Sequence, residues 1–496
     1  MAHHARPGNR PATFREVFAS IEFRAVFGAA VLSWVGDFMA KAAVSALVYR
    51  QTGSVATSAA TFAVGFLPWV VGGPVLAALA ERYPPRTVMI TCDVLRALLI
   101  ALLALPRVPV AAMLAILFTA ALLNPPFEAS RSALLPRILD GDRYVVGLAT
   151  QNSTGQGAQV IGYLCGAALG AINPRLALLL DATTFLISGV LIALWVRSRP
   201  ALLGHAQRTH LLKETAQGFR VVFGTPVLRA IALTVLAVQL FSSPVEGLAA
   251  AWAARLDPAH RGLAQGLIMM GTPFGYFVGG LVLTRLIRPD QRRTLIRPFA
   301  VLAPAMLVPV VLNPSATVVA GLAALCGLCT AGMLPASNGL FVQALPRMYR
   351  ARAFGVMQSG MQITLAVAVM TTALLSNHAA LPTVVGLWGL AGIVLVIAVS
   401  IGWPSAAEFT AAIDRTNRAN AAAEEDERRL AGTAPVPPRD EAVVTAPIPE
   451  PGGIPETIPN PDGRAPSSNG RHRRGATPLG GNAAGEAPRA AGTMEW

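Results

Sequence analysis

Asp37 and Lys41 are two charged residues inside the first long apolar run of the chain, which covers residues 25–49. They are four residues apart, so a helix would place them on the same face, one turn from each other. A charge at the middle of a membrane helix costs about 2.5–3.5 kcal/mol on insertion scales, so such residues are seldom there by accident. Asp37 is therefore a candidate proton carrier whose affinity for a proton changes with its surroundings. Lys41, its neighbour on the same face, is the second proton-coupling candidate. A fixed structural ion pair between helices explains the same spacing, and both interpretations stay open.

A second group of charges surrounds the short turn Tyr83–Arg86, which separates two apolar runs. Glu81 and Arg82 come just before the turn, and Asp93 and Arg96 lie one to two helical turns beyond it. Two membrane helices joined by a short basic loop would have this pattern.

Polar and aromatic side chains within other apolar runs are candidates for a substrate cavity. Gln358 and Gln362 share one helix face, although hydrogen bonding between helices explains them as well. Glu246 follows Pro244 and could instead reach interfacial water, and Asp181 is predicted to be structural. The cavity candidates are Trp34, Gln239, Glu246, Gln358 and Gln362.

No constellation typical of an enzyme is present in the sequence. The two lysines follow Ala40 and Leu212, so the Gly-Lys-Ser/Thr of a phosphate-binding loop is missing. Cys326-Gly-Leu-Cys329 has neither a second cysteine pair nor a nearby histidine, which favours two small buried residues over a metal site. We predict that the chain is not an enzyme, has no cofactor and no metal, and draws energy from an ion gradient or from the gradient of its solute.

The composition indicates a membrane protein. Of the 496 residues, 53% are hydrophobic and 13% are charged, whereas soluble chains carry roughly 25% charge. The net charge of +14 comes mostly from arginines that stand singly or in small groups between apolar runs, so it does not indicate a nucleic-acid partner. The partner of most of the surface is predicted to be the lipid bilayer.

Twelve apolar runs are long enough to cross a bilayer. They cover 25–49, 55–80, 88–106, 109–130, 146–171, 175–196, 227–251, 262–287, 295–313, 316–343, 353–376 and 381–403. Most arginines fall at one set of ends, and single ones fall at the other: Arg50, Arg107, Arg175, Arg255 and Arg261. The positive-inside rule then places both termini in the cytoplasm of a multi-pass protein of the cell membrane, with the first run retained as a membrane helix.

Two halves of the chain resemble each other. Leu135-Pro136-Arg137 and Leu345-Pro346-Arg347 are separated by 345 − 135 = 210 residues, and Pro125 and Pro335 have the same separation. This common offset predicts an all-α membrane protein of two six-helix repeats. The predicted segments are 1–22 (cytoplasmic), 23–196 (first bundle), 197–226 (linker with an amphipathic helix), 227–403 (second bundle) and 404–496 (mostly disordered cytoplasmic tail).

Residues 15–403 resemble the major facilitator superfamily of secondary transporters. The resemblance rests on Gly36-Asp37, on Gly73 … Glu81-Arg82 … Arg86, on Ala133-Leu-Leu-Pro136 and on Arg352-Ala-Phe-Gly355. It implies a cytoplasmic gate that holds the outward-facing state, with Glu81 near the start of the helix at Arg350–Gly355 and Asp93 facing Arg131. The implied gate residues are Gly73, Glu81, Arg82, Arg86, Asp93, Arg96, Arg131 and Arg352.

The chain also departs from the pattern of that family. Glu81 stands where Asp is usual, and Pro84 stands where Gly is common. Gly162, Gly166 and Gly170 have the spacing of a close helix contact, but Tyr163 stands where family exporters often place a proline in a motif associated with antiport.

The resemblance is strongest to the branch of siderophore, macrolide and multidrug exporters. It implies proton-coupled efflux of an amphipathic small molecule by alternating access, in a monomer whose partners are the substrate, protons and lipid. The alternatives are uptake or uniport of a small solute, and a receptor or scaffold that no longer transports.

Overall fold

The computed structural model describes residues 13–68, Leu76, 82–201, 211–288 and 291–433. Within these ranges all regular structure is helical, with two short 3-10 turns at Val308–Leu312 and Arg347–Tyr349. The α-helices are α1 Phe14–Phe18, α2 Ile21–Thr52, α3 Val55–Val64, α4 Pro85–Leu103, α5 Val110–Leu122, α6 Asn124–Ile138, α7 Asp142–Ile172, α8 Pro174–Trp195, α9 Leu211–Gly224, α10 Pro226–Ser242, α11 Pro244–Leu256, α12 Arg261–Leu286, α13 Arg292–Ala305, α14 Ala316–Gln343, α15 Arg350–Leu375, α16 Leu381–Ile401 and α17 Ala406–Thr433.

The all-helical prediction is confirmed for this part of the chain. By length and composition, nine segments of the described residues could cross a membrane. They are Ile21–Thr52, Val110–Ile138, Pro174–Trp195, Pro226–Leu256, Arg261–Leu283, Arg292–Leu312, Ala316–Gln343, Arg352–Leu375 and Leu381–Ile401. The chain is thus a multi-pass membrane protein.

The other three predicted runs meet the membrane criteria less well. Only 10 residues of the run 55–80 form the short apolar helix α3, and much of the remainder lies outside the described residues. Helix α4 carries three charges, and α7 carries a polar stretch from Gln151 to Gln159. Twelve crossings and a disordered tail therefore stay predictions, since residues 434–496 also lie outside the described ranges.

Helix α2 defines the two faces of the bundle. At its start, the Ser20 hydroxyl accepts a hydrogen bond from the Phe23 amide at 3.2 Å, which caps the helix. At its end, Gly53 takes a left-handed conformation with φ 63°, and its amide donates to the Tyr49 carbonyl at 2.8 Å. The 32 residues between them extend about 48 Å. We call the two ends the Ser20 face and the Gly53 face.

Polar contacts tie neighbouring helix ends together at each face. At the Ser20 face, Arg199 Nη2 donates to Glu22 Oε2 at 2.8 Å, which joins the end of α8 to the start of α2. The hydrogen bond from Arg199 to Glu22 raises the pKa of the guanidinium above its ordinary value. At the Gly53 face, Arg50 Nη1 donates to the Gly170 carbonyl at 3.2 Å and joins α2 to α7.

Glycines let α7 lie against the backbone of α2. A β-carbon at Gly166 would lie 2.3 Å from the Met39 carbonyl oxygen, and one at Gly162 would lie 2.7 Å from the Val35 carbonyl oxygen. Gly170 continues this contact one turn further. Larger residues would hold the two helices apart, so the packing of the first half (α2–α8, residues 21–195) requires small residues here.

A tighter glycine contact joins α12 and α14 in the second half (α10–α16, residues 226–401). A β-carbon at Gly275 would lie 1.7 Å from the Ala324 carbonyl oxygen, and one at Gly327 would lie 2.0 Å from that of Thr272. The sequence analysis did not single out these residues, although Gly271 and Gly275 have the same four-residue spacing as the stripe in α7.

Two predicted runs contain breaks at prolines. The run 109–130 is divided at Leu123, and its second helix, α6, continues to Ile138. Arg131, predicted to end this run, therefore lies inside α6. The run 227–251 is divided at Ser243, because Pro244 begins a new helix there.

The segments outside the two halves include described helices. Helix α9 lies within the predicted linker 197–226. Helix α17 packs on the second half, where the Thr416 hydroxyl donates to the Ala344 carbonyl at 3.0 Å and Phe409 and Ala412 are buried.

Candidate functional site

Asp37 and Lys41 lie in the middle part of α2, and both are partly buried. They do not come within the 4.0 Å of a salt bridge. Instead, the Lys41 ammonium lies 4.8 Å from the ring centre of Phe38 and 4.6 Å from that of Phe66. Aromatic faces attract cations, so Lys41 is held without a direct bond to the carboxylate. The close ion pair that the spacing allowed is therefore not formed.

A group of polar side chains lies about one turn from Asp37, towards the Ser20 face. Arg131 Nε donates to Glu128 Oε2 at 3.0 Å, and Arg131 Nη1 donates to Gln151 Oε1 at 2.9 Å. The guanidinium also lies 4.9 Å from the ring centre of Trp34. Three helices, α2, α6 and α7, thus place an aromatic ring and both signs of charge beside Asp37.

Glu246 joins the two halves on the side of the Gly53 face. Its Oε2 accepts hydrogen bonds from the Tyr163 hydroxyl at 2.8 Å and from Gln159 Nε2 at 3.3 Å, both on α7. The Tyr163 ring is fully buried and lies 5.2 Å from the ring of Phe38. Tyr163 and Gln159 bind Oε2 of Glu246 inside the protein, which favours the cavity interpretation of this residue over a contact with interfacial water.

Other contacts on the same side hold the halves together. Gln265 on α12 is buried, and its Nε2 donates to the Ala42 carbonyl on α2 at 2.9 Å. A β-carbon at Gly262 would lie 2.4 Å from Cβ of Ala171, so α12 and α7 are in close contact. Between these helices, a cavity of ≈ 270 Å³ opens beside Arg50 and Arg261.

Asp93 and Arg96 are buried inside the first half. Asp93 Oδ2 accepts a hydrogen bond from the Ser188 hydroxyl at 2.6 Å, and its Oδ1 lies 4.0 Å from Arg96 Nη2. The Arg96 guanidinium lies 4.5 Å from the Phe127 ring centre and 5.0 Å from that of Phe185.

The expected contact of Asp93 with Arg131 is not formed. Asp93 contacts Ser188 on α8 and Arg96 on its own helix, whereas Arg131 contacts Glu128 and Gln151. The two residues act in separate clusters.

The remaining gate candidates occupy separate places. Arg86 donates to the Ala193 carbonyl and fixes the start of α4 on the end of α8, and Arg82 is exposed. Arg352 Nη1 donates to Gln217 Oε1 at 2.7 Å, which joins α15 to α9. Gly73 and Glu81 lie outside the described residues, so the contact of Glu81 with α15 stays a prediction.

The amide candidates belong to the second half. Gln239 Nε2 donates to the Ser243 hydroxyl at 2.9 Å, at the break between α10 and α11. Gln358 is exposed and Gln362 is partly buried. Their positions fall on one face of α15, distinct from the exposed apolar face that includes Val367.

Glu128, Gln151, Gln159 and Tyr163 were missed by the sequence reasoning. Glu128 lies inside the predicted run 109–130 and was not singled out there, and the two prolines before it in fact begin a new helix. Gln151 and Gln159 could have been found from the polar stretch that interrupts the predicted membrane run 146–171. Among the described residues, no group of three or more histidine, cysteine or acidic side chains could hold a metal ion.

The comparisons with known proteins agree with this architecture. Residues 26–246 match the family model of the Major Facilitator Superfamily. The uncharacterized MFS-type transporter YvqJ of Bacillus subtilis (strain 168) is 25% identical over 251 residues. That match covers 48% of this chain and 58% of YvqJ, so the chain spans less than two thirds of the relative.

Solved transporter structures share the fold. A POT family transporter in complex with a thioalcohol-conjugated peptide has a TM-score of 0.64 at 14% identity, covering 76% of this chain and 95% of that one. The nucleoside transporter NupG has a TM-score of 0.63 at 13% identity, covering 77% of this chain and all of that one. The family match and YvqJ thus relate part of this chain to membrane transporters, and the solved structures show that it shares their fold.

Proposed function

We propose that this chain is a secondary transporter that couples inward proton movement to the export of amphipathic small molecules, such as drugs, antibiotics or siderophore-like natural products. One observation carries the proposal. Among the described residues, the Asp37 carboxylate has no salt-bridge partner within 4.0 Å, and Asp37 lies in the middle of α2, partly rather than fully buried. A carboxylate with these properties can bind and release a proton as access changes.

Alternating access would use the contacts between the halves. Glu246 with Tyr163, and Gln265 with the Ala42 carbonyl, hold the halves together on the Gly53 side. Separation on this side would break these bonds and change the field at Lys41, which lies near both Asp37 and Glu246. Proton binding at Asp37 would thereby be linked to which face is open.

The side chains near Asp37 suit an amphipathic substrate. Trp34 offers an apolar face, and Glu128 and Arg131 offer charges of both signs. Gln358 and Gln362 would contribute amides from the second half. Sites with an apolar lining and a few polar groups favour molecules that are part apolar and part polar.

The arginine distribution supports an orientation with the Ser20 face in the cytoplasm of a cell-membrane protein. A proton that moves inward gains about 2.3 kcal/mol per 100 mV of membrane potential. One or two protons for each exported molecule would therefore support substantial accumulation outside.

The test is transport in proteoliposomes with an imposed pH gradient. Native protein should move a fluorescent amphipathic dye only with the gradient, and Asp37→Asn should lose the gradient-driven part by at least tenfold. Asp414→Asn is the matched control, because Asp414 is an exposed carboxylate on α17, outside the membrane spans. Dye movement that persists unchanged without a gradient rejects proton coupling, and full coupled transport by Asp37→Asn rejects Asp37 as the carrier. Movement in the opposite direction would instead support uptake.

A further inference from the structure

The carboxyl group of Asp181 on α8 lies directly against the backbone of Gly36 on α2. A β-carbon at Gly36 would lie 2.1 Å from Asp181 Oδ1 and 2.3 Å from Thr184 Oγ1. The absence of a side chain at position 36 is therefore what makes room for this acid, which is 0% exposed. Gly36 is the residue next to Asp37, so two carboxyl groups meet the same turn of α2.

The hydrogen bonds available to Asp181 do not suit an ionised carboxylate. Its Oδ2 is buried without a hydrogen-bond partner. Its Oδ1 has only the Thr184 hydroxyl at 3.4 Å, and that hydroxyl lies closer to the Asp181 backbone carbonyl, at 2.7 Å. A buried charge without donors is strongly disfavoured, whereas the neutral acid needs far less solvation.

Helices α2, α4 and α7 pack on α8, and the charged groups around Asp181 come from the first two. Helix α2 contributes Asp37 and Lys41, and α4 contributes Arg96. Asp93 on α4 is bound by Ser188, and within the described part of the chain no salt bridge within 4.0 Å forms to Asp181. The Tyr163 hydroxyl on α7 is bound to Glu246. Because Asp181 lies against Gly36 and Asp37 is the next residue, the two acids are neighbours, and neither has a salt-bridge partner within 4.0 Å among the described residues.

We propose that Asp181 is a second proton-binding site, which holds its proton as a neutral carboxylic acid and exchanges it with Asp37. In the exchange, the O–H bond at Asp181 breaks as an O–H bond forms at Asp37, and one negative charge moves from Asp37 to Asp181. Lys41 and Arg96 lie near enough to stabilise that charge in either place. The role in transport rests on the proposed function, but the protonation of Asp181 does not.

Infrared difference spectroscopy of the full chain in lipid vesicles tests the proposal without any transport. Native protein should show a C=O stretching band of a protonated carboxyl group that is absent from Asp181→Asn. The pH at which this band disappears should change in Asp37→Asn, because the two acids interact, and should stay unchanged in Asp414→Asn.

A spectrum of Asp181→Asn that keeps the band, or an unchanged midpoint in Asp37→Asn, overturns the proposal. Should Asp181→Asn fail to fold, the comparison of Asp37→Asn with Asp414→Asn decides alone. A failure of dye transport to depend on the pH gradient would reject the proposed function and leave these spectra as they are, so the two failures are distinguishable.

Discussion

The two halves of the molecule are stabilised in different ways. The first half encloses charged groups within its helices, including Asp93, Arg96 and Asp181, each at most 2% exposed. The second half has no buried charged side chain among its described residues, and its glycines Gly275 and Gly327 bring helices still closer to backbone contact than those of α7 do in the first half. Both halves are helical, but they bury different kinds of side chain. The difference places the candidate proton groups Asp37 and Asp181 in the first half, whereas close glycine contacts between helices occur in both halves.

Each strategy limits what its half can tolerate. Buried charges require partners on neighbouring helices, since an unpaired charge in a bilayer is costly. Glycine contacts require that no side chain be added, since helix association in lipid depends on close packing. A substitution that removes a buried charge in the first half and one that adds a side chain at a glycine in the second half should therefore destabilise the protein by different amounts.

The largest effect is expected from Arg96→Met. This change removes the cation near Asp93 and leaves a buried carboxylate without it, at a cost of about 3–5 kcal/mol. Thermal unfolding in detergent should show a large loss of stability. The double variant Asp93→Asn with Arg96→Met should recover part of the loss, because it removes both charges. Equal stability of Arg96→Met and the native protein would show that the first half does not depend on its charges.

Gly275→Ala should have the next largest effect. The added β-carbon would lie 1.7 Å from the Ala324 carbonyl oxygen, so α12 and α14 must separate. We expect a loss near the upper end of the about 1–3 kcal/mol typical of overpacking. Gly321→Ala is the control on α14, because a β-carbon there meets no described heavy atom within 4 Å. Similar melting temperatures for the two variants would remove the distinction between the halves.

Tyr163→Phe should have a moderate effect on the contact between the halves. The change removes the 2.8 Å hydrogen bond to Glu246, and Gln159 retains a second bond at 3.3 Å. A hydrogen bond to a charged group contributes about 1.5–3 kcal/mol. The lower value corresponds to roughly a tenfold change in the ratio of closed to open states. Distances between spin labels at Ile172 and Leu263, both exposed, would measure the shift. Tyr144→Phe is the control near the Ser20 face and should leave the distances unchanged.

The smallest effect is expected from Glu424→Gln. Glu424 pairs with Arg347, but the side chains are 46% and 63% exposed, so water already screens the pair. Exposed ion pairs contribute about 0–1 kcal/mol. The melting temperature should stay within error of the native value, whereas Thr416→Val, which loses a buried hydrogen bond to Ala344, should lower it measurably. A large loss for Glu424→Gln would mean that α17 supports the second half more strongly than its exposed contacts indicate.

Much of the helical architecture follows from the sequence, because apolar length alone identifies membrane helices. The positions of the helix ends were harder to predict from the sequence. Pro125 and Pro126 come near the end of an apolar run, yet they begin α6, which then continues to Ile138. Proline lacks only a donor that the first turn does not use, so the same residue type fits a helix end or a helix start.

The partners of the candidate site residues could not be predicted from spacing. Lys41 has the right separation for Asp37, but the rings of Phe38 and Phe66 hold it instead. Arg131 and Glu128 are three residues apart and do form a pair, which the misplaced helix end concealed. A side chain is positioned by residues on other helices, and their proximity is a property of tertiary packing rather than of the local sequence.

Gly36 and Asp181 are distant in the sequence but in contact in the fold, so substitutions at the two positions should be correlated during evolution. Because Asp181 Oδ1 fills the space of a side chain at position 36, neither position can change freely on its own. Among related sequences we expect glycine at position 36 to accompany an acid at position 181, and a larger residue at position 36 to accompany the loss of that acid. A library in which both positions are randomised and function is selected should recover the same pairs, so one interatomic contact restricts which single substitutions natural selection can accept first.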